Sequence, residues 1–252
     1  MTILLQTIDL YKSFGDTRAC DGVNFTVNQG EFLSLVGSNG AGKTSLVNLI
    51  SAHLQPDSGK ILFEGHDITR ATVSERIKAG IARSFQIVNL FDAMSVFDNV
   101  SLSIFARQGK TRHIAALANH DRPVHDETFE VLGQFGLRDK SDVFAGGLAQ
   151  GERKLLDVAI AYALQPKLLF LDEPTSGVST HEKAQIMDTV SSIVRAGTVT
   201  AVIIEHDMDV VFRYSDRIVM MHEGSFLADG TPEEIKANKN VANILLGAPL
   251  ST

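Results

Sequence analysis

Cysteine is the scarcest chemistry-bearing residue in this 252-residue chain, with Cys20 the only one. That excludes an internal disulfide framework and suits a reducing compartment. Nothing beside Cys20 suggests a nucleophile or a metal site, so it reads as a small buried thiol. No apolar run approaches the roughly 18 residues needed to cross a bilayer. The N-terminal stretch also lacks a basic region followed by an apolar signal core and a small-residue cleavage site. The chain therefore reads as cytoplasmic, with any membrane role supplied through a partner. Positive charge is in short supply too: 23 Lys and Arg face 30 Asp and Glu, for a net charge of −7. No global basic field draws such a chain to nucleic acid or anionic lipid. Repeats and low-complexity tracts are missing. At 44 % hydrophobic, the chain can build one large α/β domain or two small ones.

What is present is more specific. Gly37-Ser38-Asn39-Gly40-Ala41-Gly42-Lys43-Thr44-Ser45 follows the apolar stretch Phe32 to Val36 directly. It fits the pattern G-x-x-x-x-G-K-[ST] in its meaningful context of strand, glycine-rich turn and helix, the helix opening at about Lys43. The glycines let successive N–H groups point inward at an anion. The positive end of the following helix, read from about Gly42 to Ala52, adds to that field. Lys43 supplies a mobile point charge for the β- and γ-phosphates, and the Thr44 hydroxyl is placed to ligate Mg²⁺. The loop predicts binding of a nucleoside triphosphate.

Residues 3–36 alternate apolar and polar in short runs and read as β-rich. Pro56-Asp57-Ser58-Gly59 reads as a turn, and Lys60 to Phe63 as a further strand. From Ser95 to about Gln165 the pattern is mostly helical, apart from a polar surface loop or loosely held helix over Gln108 to Asp126. The last third alternates again: strands at Leu168 to Leu171, Val199 to Ile204 and Arg217 to Met221, helices at Thr180 to Arg195 and Asp207 to Arg213. A parallel core interrupted by a mostly helical insertion is the simplest architecture.

A second phosphate-site element is expected downstream, as an apolar strand ending in an aspartate that holds Mg²⁺ directly or through water. Leu168-Leu169-Phe170-Leu171-Asp172 supplies it. Glu173 follows at once, placed to orient and deprotonate the attacking water as general base. His206 ends the next apolar strand, where the carboxyl ends of a parallel sheet line the ligand crevice. There it can hydrogen-bond the γ-phosphate and fix the water. The other histidines read as surface or packing residues.

With these elements in order, the chain resembles the ATPase subunit of an ABC transporter over essentially all its length. The resemblance implies a P-loop NTPase core with an N-terminal antiparallel β subdomain (about 1–35 and 58–70) and an inserted α-helical subdomain (about 87–165). It also implies ATP and Mg²⁺ as ligands. Gln86, in Gly80-Ile81-Ala82-Arg83-Ser84-Phe85-Gln86, matches the family's Gln loop. It would join Thr44 and Asp172 around the metal, and Glu173 and His206 in catalysis. Phe14 matches the aromatic that stacks on adenine, with Tyr11 the weaker candidate. The stretch from Gly80 to Val100, the polar segment after Phe105 and the tail Val241 to Gly247 resemble branched-chain amino-acid importer ATPases. Importers for urea, short amides or other amino acids would read much the same.

The implied partners are polytopic permease subunits, a second ATPase subunit in a homo- or heterodimer, and, indirectly, a substrate-binding protein. No nucleic acid is among them. The implied place is the inner face of the plasma (inner) membrane. Rival readings are a soluble ABC ATPase acting on nucleic acid or ribosomes, and a non-hydrolysing scaffold. The chain has one cassette and no long coiled-coil insertion, which disfavours the first. The pair Glu173 and His206 disfavours the second.

Two departures stand out. The family signature, usually Leu-Ser-Gly-Gly-Gln, is here Leu148-Ala149-Gln150-Gly151-Glu152, a segment that in the family grips the nucleotide bound to the other subunit. Ala149 lacks the hydroxyl that would cap the helix and reach the phosphate. Ser179 stands where many members carry an aspartate. Both lie on elements that act across the dimer interface, whereas the groups acting within the subunit are intact. Either the chain pairs with a different ATPase subunit, or Ala-Gln-Gly is a working variant of the signature.

Overall fold

Strands buried on both faces set the architecture. A computed structural model describes residues 2–84, 90–110, 121–197, 199–238 and 241. Among these the chain builds an antiparallel sheet and a mostly parallel one. The first is centred on β1 (Ile3–Phe14), paired antiparallel with β2 (Thr17–Val23), β3 (Thr26–Asn28) and β5 (Ser58–Phe63), and β5 in turn pairs β6 (His66–Asp67). The second holds β4 (Phe32–Val36), β7 (Ile81–Arg83), β8 (Leu168–Asp172), β9 (Thr200–Ile204), β10 (Arg217–His222) and β11 (Ser225–Gly230). Its order is β11-β10-β4-β9-β8-β7, with only the β10–β11 pair antiparallel.

The central strands are continuous apolar runs because helices or a sheet cover both faces. Side chains alternate: Leu168 and Phe170 of β8 join the cluster under the antiparallel sheet, while Leu169 and Leu171 join the cluster under the helices. Helix α1 (Lys43–Ile50) packs into the first cluster through Leu46, Val47, Leu49 and Ile50. Its last carbonyls lack a full set of donors within the helix. Arg76, on α2 (Val73–Ala79), adds donors there: Nη1 reaches the carbonyls of Leu49 and Ile50 at 2.5 and 2.6 Å. Burial pushes the Arg76 guanidinium down to about 10.

Between β7 and β8 the described chain is helical: α3 (Val96–Arg107), α4 (Arg122–Gln134) and α5 (Gln150–Tyr162), with two short 3₁₀ turns. The polar stretch read as a surface loop or loosely held helix ends in regular structure from Arg122. Pro123 does not break it, because it sits in the first turn, where its missing N–H would have no partner anyway and its φ is already helical. Residues 111–120 lie outside the described residues. Helices α6 (Thr180–Arg195), α7 (Met208–Tyr214) and α8 (Pro232–Ala237) complete the fold. α2, β7, β11 and α8 had no counterpart in the sequence, and Asp207 is the N-cap of α7 rather than part of it. Cys20 is free and 1 % exposed, as its composition argued. No described helix is long and apolar enough to cross a membrane.

Candidate functional site

The sheet order fixes the site. β4, β9 and β8 are adjacent and parallel, so the loops after their carboxyl ends emerge side by side. A cavity of about 390 Å³ opens there, lined among others by Phe14, Asn39, Lys43, Thr44, Glu173 and His206.

The loop after β4 needs its glycines. At Gly37 (φ 148°) a Cβ would fall 2.1 Å from the Met221 carbonyl oxygen, and at Gly42 (φ 107°) a Cβ would fall 2.1 Å from that of Ala19. Gly42 caps α1 without a side-chain hydrogen bond, and no acidic residue lies in the helix's first turn. The positive helix end therefore faces the cavity uncompensated. Lys43 is 5 % exposed and donates to the carbonyls of Gly37 (2.7 Å) and Ser38 (3.0 Å). Burial pushes its ammonium below the ordinary lysine range, while Glu173 and then Asp172 pull it back up. The loop thus holds its cation coiled against its own backbone.

Asp172 ends β8 and is 4 % exposed. Sequence reasoning missed its partner. Arg83, at the end of β7, donates through Nη2 to Asp172 Oδ2 at 2.7 Å and through Nη1 to Asn48 Oδ1 of α1 at 2.5 Å. One guanidinium fork ties the phosphate-loop helix to two strands. An arginine closing an apolar strand was the available signal. Glu173, next along, adopts φ 49°, a left-handed conformation rare outside glycine. Its N–H donates to the Ile204 carbonyl at 2.9 Å, and its Oε1 lies 3.0 Å from His206 Nε2.

The segment leading to His206 is held from behind. Buried Glu205 accepts from Thr175 N (3.0 Å) and Oγ1 (2.7 Å) with one oxygen, and from His206 N (3.2 Å) with the other. Asp207 caps α7 by accepting from the backbone N–H groups of Asp209 and Val210, and accepts from Lys183 Nζ of α6 at 2.6 Å. That lysine bond, its largest cause, holds the Asp207 carboxyl below the usual range.

Phe14 is half-exposed on the cavity rim, its ring 5.6 Å from Lys12 Nζ. Ser38, Gly40, Ala41 and Ser45 lie along the loop and the first turn of α1. Gln86 falls outside the described residues. Ala149, Gln150, Gly151 and Glu152 do not line this cavity; they start α5, with Ala149 and Gln150 exposed and Gly151 buried. Ala149 is the N-cap and offers no side-chain acceptor, so only half of a capping box forms, with Glu152 Oε2 accepting from Ala149 N at 3.0 Å. Glu152 also pairs with Lys140. Ser179 caps α6 through a full reciprocal box with Glu182. That same carboxylate touches the signature: a Cβ at Gly151 would fall 2.8 Å from Glu182 Oε1. The retained glycine of the signature and the departing Ser179 are therefore joined through one side chain.

A parallel sheet that delivers a glycine-walled phosphate loop and a Glu–His pair to one cavity, with a buried aspartate ending the strand before the glutamate, defines a P-loop nucleotide-binding ATPase. Residues 20–176 match the ABC transporter family. The chain is 32 % identical over 250 residues to the high-affinity branched-chain amino acid transport ATP-binding protein BraF of Pseudomonas aeruginosa, covering 97 % of this chain and 98 % of that one. It is 32 % identical, with the same coverage, to the protein LivG of Escherichia coli K12, which carries the same description. Among solved structures it superimposes on the ADP conformation of MJ1267, an ATP-binding cassette of an ABC transporter. There the TM-score is 0.87 and the identity 29 %, over 98 % of this chain and 100 % of that one. A nucleotide-free ATP-binding cassette from an ABC transporter gives 0.85 at 30 % identity, over 96 % and 98 %. The chain belongs to the ABC transporter family: it is an ATP-binding cassette and an ATPase.

Gly42→Ala is expected to abolish tight ATP binding and to cost more than the about 1–3 kcal/mol of backbone strain alone, because its Cβ meets a backbone oxygen at 2.1 Å. Thermal unfolding and equilibrium ATP binding test this, and wild-type affinity in a folded variant would contradict it.

Proposed function

We propose that the chain powers a membrane importer for branched-chain or other small hydrophobic amino acids, working at the inner face of the membrane with permease subunits and a second cassette. The contact between Glu173 and His206, 3.0 Å apart beside the phosphate loop, carries the hydrolytic half of this reading. The names of the relatives carry the cargo half, since an importer ATPase does not itself touch the transported molecule.

ATP enters the loop from Gly37 to Ser45 with its adenine toward Phe14. Its phosphates take over the Lys43 ammonium from the Gly37 and Ser38 carbonyls. That exchange is favourable because the phosphates bring full negative charge to a cation with lowered solvation. Glu173 takes a proton from the attacking water, while His206 holds both the Glu173 carboxylate and the γ-phosphate in line. The donor set fits Mg²⁺: a buried Asp172 carboxylate and the Thr44 hydroxyl are hard oxygen ligands of the kind that hold this ion together with phosphate oxygens. Gln86 would complete it. When bound, the metal neutralises charge developing on the phosphates.

Ala149, Gln150, Gly151 and Glu152 lie away from this chain's own cavity, which supports a role on a nucleotide held by the partner. The missing hydroxyl at Ala149 supports pairing with a different cassette that contributes a conventional signature. Under that reading, Ala149→Ser in the reconstituted transporter raises ATP affinity or turnover at the second site. Rate and affinity both unchanged would remove Ala149 as a limiting position.

The decisive variant is Glu173→Gln. In the reconstituted transporter it should bind ATP, lose at least about 100-fold in steady turnover, as expected for a missing general base, and lose uptake of labelled leucine, isoleucine or valine. Turnover near wild type would remove Glu173 as the base. Normal ATPase activity without uptake of these amino acids in the unmodified transporter would overturn the cargo.

A further inference from the structure

A lysine sits where helix packing calls for an apolar side chain. On α5 the buried positions include Gly151, Lys154, Leu155 and Val158, the spacing of a core-facing stripe. Lys154 is 4 % exposed. An ammonium that deep is costly unless it finds partners. Its Nζ donates to the backbone carbonyl of Glu173 at 3.1 Å and to Ser176 Oγ at 3.1 Å.

Those two partners bracket the turn that carries the proposed base. Glu173 holds a left-handed φ of 49°, a conformation that persists outside glycine only where its surroundings over-determine it. The turn is fixed at its start by the Glu173 N–H on Ile204 and internally by Ser176 N donating to the Glu173 carbonyl at 3.1 Å. Lys154 adds a charged donor to that same carbonyl and reaches the far end of the turn as well. The orientation of the peptide after Glu173 sets the direction of its Cα–Cβ bond. That bond in turn places the carboxylate lying 3.0 Å from His206. The lysine thus grips the backbone behind the base rather than the base itself.

The helix supplying it is the one that opens at the signature. Lys154 stands three residues past Gly151, one turn along a rigid rod, so a shift at the helix start moves the ammonium with it. We propose that Lys154 is a positioning residue for ATP hydrolysis, tying the signature helix to the strained turn of Glu173 so that the seating of one sets the carboxylate of the other. Two sites are then coupled inside one chain: the helix that would meet a partner's nucleotide, and the base that acts on this chain's own.

The inference rests on Glu173 being the base, and the test separates the two. In the reconstituted transporter, kcat and KM for ATP and the melting temperature are measured for Lys154→Met, Glu173→Gln and the double variant. Methionine keeps the length and apolar stem but removes charge and donors. Lys154→Met should lower kcat at least tenfold, with KM within twofold, and should have no further effect in the Glu173→Gln background. If Lys154→Met does not fold, Lys154→Gln, which keeps a neutral donor on a shorter stem, is read by the same split. Glu173→Gln turning over like wild type would sink the base reading and this inference with it. A slow Glu173→Gln beside a Lys154 variant within twofold of wild-type kcat would overturn the role of Lys154 alone. So would an equal tenfold loss from Lys154→Met in both backgrounds.

Discussion

One backbone hydrogen bond, from the Glu173 N–H to the Ile204 carbonyl, extends the β8–β9 pairing a step beyond the last registered pair, Asp172 with Ile204. It exists because β9 lies between β4 and β8, parallel to both. That placement sets three loops side by side: the glycine loop after β4, the carboxylates after β8 and the histidine after β9. Remove β9 from that position and the phosphate cradle and the Glu–His pair belong to different parts of the surface. Much of the rest of the structure serves this arrangement. Helices and the antiparallel sheet bury the two faces of the parallel strands, Arg76 secures the end of α1, and Glu205 and Asp207 brace the segment on which His206 stands.

The groups at and beside the cavity differ in how freely they are held. Lys43 rests on neutral carbonyls that a phosphate can displace, whereas Asp172 is already engaged by the Arg83 guanidinium in a buried ion pair. Such pairs do little for net stability but cost a great deal to break from one side. Arg83 therefore fixes the position of Asp172, and through Asn48 it ties that position to the phosphate-loop helix. The signature segment shows a similar economy. With no hydroxyl at Ala149, carboxylates serve the start of α5: Glu152 accepts from the Ala149 N–H, and Glu182, which completes the Ser179 box of α6, lies against Gly151. The two elements expected to face a partner are consequently linked to each other.

Elements with a strong local code were legible in the sequence. Phe32 to Val36 and Thr180 to Arg195 match the structure residue for residue, since a run of buried apolar residues and a capping Ser179 with Glu182 leave little freedom. The phosphate loop and the strand ending in Asp172 were legible for the same reason, as spacing and residue type are set by the chemistry of holding phosphate. What escaped notice was tertiary. Arg83 and Lys154 owe their importance to which strand and helix lie opposite them; an arginine ending an apolar strand is the one local hint for the first, and it does not name a partner. β11 and the helix at Pro232 depend on pairing with β10 and packing below it. The left-handed backbone of Glu173 likewise has no signature in composition.

In the proposed mechanism the glycine loop, Glu173 and His206 close on one γ-phosphate. A crystal structure of the chain with a non-hydrolysable ATP analogue and Mg²⁺ tests it most directly. The phosphates are expected within the loop from Gly37 to Ser45, the Lys43 ammonium on them instead of on the Gly37 and Ser38 carbonyls, and Glu173 and His206 both facing the terminal phosphate. A bound nucleotide whose γ-phosphate lies out of reach of Glu173 and His206, with Lys43 still on its own backbone, would contradict it.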